Sequence, residues 1–122
     1  MANSIVIICE DSPFGKNSAI ESIRLATGIL SVGDIDNCKV IFIGDAVYFL
    51  SKNLDPTALN MDPFTDILRL IELSKLEMYV LDEDLKDAGI ESSDLLSYDN
   101  LKVINIEEIS QLILEADLTF KY

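Results

Sequence analysis

Histidine and tryptophan are absent from this sequence, and cysteine occurs only at positions 9 and 38. Without histidine there is no imidazole general base, no histidine-containing catalytic triad and no histidine-ligated metal site. Basic residues are scarce as well, 9 against 22 acidic, leaving a net charge of −13. Counterion release from a phosphate backbone needs Lys and Arg, so this balance speaks against nucleic acid and anionic membrane as partners. A basic protein, or a basic patch on a sister subunit, suits such a surface better. The plainer reading is that the acid keeps the surface solvated.

Long hydrophobic runs are also lacking. The longest, "IVII" and "VIFI", fall far short of the roughly 20 apolar residues that span a bilayer. The opening "MANS" has neither a basic n-region nor a cleavage site before an apolar core, so a cytoplasmic location is expected. Cys9 ends the first apolar run and Cys38 opens the second. Parallel pairing of two such strands puts the thiols at opposite ends of the sheet, about 16 Å apart. A disulfide needs Cα atoms within roughly 7 Å, so none is expected.

What the chain does have is a hydrophobic share of 49% over 122 residues, enough for one core and one domain, 1–122. Short β-branched runs alternate with helical stripes. Strands are expected near 4–9, 39–43, 76–81, 101–104 and 117–121. Between the first two, Ser18 and Glu21 form a capping box for a helix to about Leu30, with Ile20, Ile23, Ala26 and Leu30 on its buried side. Asp45 can cap a short helix over "AVYFLSKN". Asp62-Pro63 opens a helix to about Ser74, whose apolar set is Phe64, Ile67, Leu68, Ile71 and Leu73. Asp82 starts and Gly89 stops another helix. "SSDLLS" can form one more turn, and Asn105 with Glu108 caps the last helix. Strict alternation of strand and helix implies right-handed crossovers, hence a three-layer α/β/α sandwich on a mainly parallel five-stranded sheet.

The junction "CEDSPFGKNSAIE" is where such a fold places a ligand. "GKNS" does not complete a phosphate-binding P-loop: Glu10 stands where the first glycine belongs, and Asn17 follows Lys16. Ser12, Gly15, Lys16 and Asp45 remain as candidate ligand-binding residues, resting on a helix N-terminus open to any anion. Cys9 is the candidate catalytic residue. The helix N-terminus and Lys16 favour its thiolate, Glu10 and Asp11 oppose it, and an apolar-flanked cysteine is more often a small core residue. The acids Asp82, Glu83 and Asp84 suit hard cations, but they also match what a helix N-terminus favours. No metal and no cofactor is expected.

Three stretches, "IVIICEDSPFGKNSAIESI", "KVIFIGDAVYFL" and "LEMYVLDEDLKDAGI", together resemble the DsrE/DsrF family of sulfur-relay proteins, nearest its DsrF/TusC branch. The Gly44-Asp45-Ala46-Val47 turn matches a "DGV"-like turn of that family, and Leu85 to Gly89 matches its L-x-x-x-G segment. The resemblance implies a small cytoplasmic subunit of a larger complex. In the DsrE/TusD branch a cysteine near the end of the third strand carries sulfur as a persulfide. Met78 to Asp84 contains no cysteine, which fits the DsrF/TusC branch.

Three readings follow. The chain is a non-catalytic subunit of a sulfur-relay oligomer, or Cys9 itself accepts sulfur, or the chain is a small-molecule binding module. Its partners are then copies of itself or Cys-bearing sister subunits. "DAVYFL" sets Val47, Tyr48, Phe49 and Leu50 in a row, which one helix face cannot bury, and Leu54, Leu59, Met61 and Phe64 follow. Tyr48 and Phe49 are therefore expected at or near an oligomer interface, unless the loop folds back to cover them.

Overall fold

The computed structural model describes residues 4–11, 18–32, 37–51, 65–96 and 98–121. Five strands form one sheet: β1 (Ser4–Cys9), β2 (Asn37–Phe42), β3 (Glu77–Leu81), β4 (Leu101–Ile104) and β5 (Leu118–Lys121). Their order is β4-β3-β2-β1-β5, and every pairing is parallel. The helices are α1 (Ser18–Val32), α2 (Thr65–Ser74), α3 (Asp82–Ala88) and α4 (Ile106–Glu115). Two 3-10 helices, Gly44–Leu50 and Ser92–Asp94, complete the set.

Topology follows from handedness. From β1 to β4 each step moves the same way across the sheet, so right-handed crossovers put α1, α2 and α3 on one face. The return from β4 to β5 runs the other way and puts α4 alone on the opposite face. Strand alternation serves both faces. Ile5, Ile7, Cys9, Val40, Phe42, Met78 and Val80 pack under Ile23, Ala26 and Ile71. Val6, Ile41, Leu81 and Ile104 pack with Ile109 of α4.

The local signals hold at several ends. Asn105 Oδ1 accepts from the Glu108 N–H at 2.9 Å while the Glu108 carboxylate accepts from the Asn105 N–H. Gly89 ends α3 in the left-handed region at φ 73°, where a side chain would be strained. Asp82 instead lies inside α3 as its first residue, and its carboxylate accepts from the Glu83 N–H. The Ser18 side chain, the Asp62-Pro63 cap and the Leu54, Leu59, Met61 and Phe64 group lie outside the described residues.

Three expectations change. Asp45 does not cap its helix: the cap position is Ile43, without a side-chain bond. The Gly44 N–H is met instead by the Asp84 carboxylate of α3, at 2.6 Å. Phe49 does not sit at a surface. It is 2% exposed and stacks on Phe42 with ring centroids 6.1 Å apart. The helix over 44–50 is of the tighter 3-10 kind and is wedged between the sheet and α3, so Val47, Phe49 and Leu50 are all buried and Tyr48 half-buried. Leu73, one of the apolar set of α2, stands 75% exposed, because Ile71 takes the sheet-facing position and Leu73 lies 200° further round.

Candidate functional site at the carboxyl rim of the sheet

Parallel strands bring their carboxyl ends to one rim, the usual ligand position in this architecture. Cys9 ends β1 opposite Phe42 of β2. Its carbonyl accepts from the Ile43 N–H at 3.0 Å, which ties the start of the Gly44–Leu50 helix to the loop after β1. Gly44 has φ +55°, and an added Cβ there would stand 3.3 Å from the Glu10 carbonyl. The rim therefore needs glycine for both conformation and space. Lys121 of β5 closes the far side in an ion pair with Glu10.

The Cys9 side chain is fully buried. Burial pushes its thiol up from the ordinary value, against the smaller opposing effects of hydrogen bonds with the Ser22 hydroxyl and the Asp11 backbone. At neutral pH it is a protonated thiol in the core, so the geometry does not make it a nucleophile. Cys38 is buried too, and desolvation raises its thiol to about 11. Both are free. Cys38 is aligned with Ile5, so the two thiols are four residues apart along the sheet, roughly 13 Å.

Of the candidate binding residues, Asp45 lies exposed on this rim. Ser12, Gly15 and Lys16 lie outside the described residues. The described rim is acidic, with Glu10, Asp11, Asp45, Asp82, Glu83 and Asp84 drawn from three loops or helix starts. Among the described residues no three acids or thiols are placed to hold a metal ion. No described helix is long and apolar enough to cross a membrane. Sequence reasoning missed Ser22, and it missed Asp84 as the acceptor for the Gly44 N–H. Ser22 could have been found, since Ser22, Ala26 and Leu30 share the i, i+4, i+8 stripe that faces the sheet. Asp84 could not, because it is 40 residues from Gly44.

The arrangement can be compared with known proteins. The sequence pattern of the DsrE/DsrF-like family matches residues 3–122. The chain belongs to the DsrE/DsrF-like family. One relative is the intracellular sulfur oxidation protein DsrF of Allochromatium vinosum, 27% identical over 91% of this chain and 90% of that protein. A TusC homolog of Vibrio parahaemolyticus is 27% identical over 66% of this chain and 68% of its own length. Among solved structures, the YchN protein of E. coli superposes with a TM-score of 0.79, at 20% identity, over 98% of this chain and 99% of that one. At that identity the likeness concerns the fold: a five-stranded parallel sheet flanked by helices. The Cys9 rim and the Gly44 turn are thus parts of a DsrE/DsrF-like domain.

Proposed function

We propose that this chain is a non-catalytic subunit of a sulfur-relay oligomer, shaping a site completed by a cysteine on a partner. One observation carries the reading. Both cysteines are buried, and burial keeps both thiols protonated. The carboxyl end of β3, where sulfur-carrying relatives would hold their cysteine, has Val80, Leu81 and Asp82. Family membership and the names of the two relatives supply the sulfur context. Unbridged thiols suit a reducing cytoplasm. Tyr48, half-buried in the 44–50 helix, lies at the partner-facing edge on this reading, and Asp45 with the other rim acids suits a basic patch on the partner. The reading needs no cofactor.

The test is incubation of the folded chain with a small-molecule polysulfide, alone and with a Cys-bearing member of the family, followed by intact-mass measurement. The expected result is sulfur on the partner, none on this chain, and co-elution of the two. An adduct of one sulfur atom on Cys9 of the folded chain would replace this reading with that of a sulfur acceptor.

A further inference from the structure

Against the acids of the carboxyl rim stands one base. Among the described residues, Lys121 is the only lysine or arginine at the carboxyl end of a strand. Lys39 and Lys102 lie in the amino halves of β2 and β4, Lys75 precedes β3, and Arg24, Arg69 and Lys86 sit within helices.

Strand register decides which way Lys121 faces. It is aligned with Ile8 of β1, and side chains at aligned positions point to the same face of a sheet. Ile8 packs with Val6 and Ile109 toward α4, whereas Cys9 belongs to the cluster under α1. The ammonium therefore stands on the α4 side of the rim, turned away from this chain's own thiol. The Glu10 carboxylate holds it there in an ion pair, yet the two side chains stay 65% and 42% exposed. The hydrogen bond and the charge of Glu10 also push Lys121 above its ordinary pKa, so the amine is protonated at neutral pH. α4 itself crosses the sheet away from this corner, running from the carboxyl end of β4 to the amino end of β5.

Sulfur handed between subunits is held as a thiolate or persulfide anion. Neighbouring carboxylates disfavour such an anion and a neighbouring ammonium favours it. The acids of this rim would repel it, and Lys121 is the described group there that attracts it.

We infer that Lys121 is a positioning residue of the relay site, its ammonium meeting the anionic sulfur of the partner's cysteine on the α4 side of the rim and favouring the charged form. Glu10 opposes it, fixing the ammonium in place while limiting how far the anion is favoured. This role rests on the reading of the chain as a relay subunit.

The test follows alkylation of the partner's cysteine by iodoacetamide against pH, read by intact mass, with the Cys-bearing family member saturated by an excess of this chain. Lys121→Gln should raise the pH of half-maximal rate by about one unit, roughly a tenfold loss of thiolate below it. Glu10→Gln should lower that pH, because a repelling charge is gone, and Lys121→Arg should restore the wild-type profile. Opposite shifts separate this role from a merely structural ion pair, which Lys121→Gln and Glu10→Gln break alike. Neither side chain is buried, so circular dichroism should show both variants folded. Unchanged profiles, shifts in the same direction, or a folded Lys121→Gln chain that no longer co-elutes with the partner would each overturn the role of Lys121 and leave the relay-subunit reading in place. A wild-type chain that fails to co-elute with the partner would sink that reading, and this role with it.

Discussion

Replacing Phe49 by alanine separates a core role from an interface role. Phe49 is 2% exposed and its ring lies 11° from parallel with that of Phe42. Truncation removes the ring from a buried cluster that also holds Phe42, Val47 and Leu50. Phe→Ala changes in such places cost about 3–5 kcal/mol, the larger values where the cavity cannot collapse. The lost aromatic pair accounts for roughly 0.5–1.5 kcal/mol of this. A domain of this size is stable by about 5–15 kcal/mol, so the variant gives up a large share. With a urea slope near 2 kcal/mol per molar, a loss of about 4 kcal/mol lowers the midpoint by roughly 2 M. The assay is urea unfolding followed by circular dichroism at two protein concentrations tenfold apart. The drop in midpoint relative to wild type should be the same at both, because the loss lies within one subunit. A loss under about 1 kcal/mol, or one seen only as weaker association, would return Phe49 to a surface and refute the packing described here.

Two further outcomes follow from the hydrogen bonds and thiols. Desolvation raises Cys38 from 9.0 to about 11, so the folded state holds its proton more tightly than the unfolded chain. That stabilisation is complete below pH 9 and is lost as pH rises toward 11; the thermal midpoint should fall across this window less steeply in Cys38→Ala, and equal slopes would contradict the assignment. Asp84→Ala removes the carboxylate that accepts from Gly44 and should cost about 1–2 kcal/mol in urea unfolding, whereas an unchanged midpoint would mean that solvent replaces that cap.

Much of the fold was legible because its signals are local. All five strands were placed to within two residues; the inner ones, β1, β2 and β3, stand out because a doubly covered parallel strand has to be largely apolar along its length. Gly89 and the Asn105–Glu108 pair marked helix ends because left-handed backbone and orphan N–H groups need particular residues. The site was less legible. Cys9 was open to two readings in sequence, and only the burial contributed by α1 and its Ser22 makes the thiol a core residue.

The sequence by itself determined the class of fold, the free thiols at opposite ends of the sheet and the lack of histidine chemistry, because composition and short-range periodicity carry that information. Tertiary structure alone decided which residues of "DAVYFL" face inward, that Asp84 rather than Asp45 caps that helix, and that Leu73 and Leu114 are left on opposite outer faces. Those outcomes depend on how elements tens of residues apart meet across the sheet. No local pattern encodes that distance, so the same leucine spacing reads alike whether its helix ends up covered or bare.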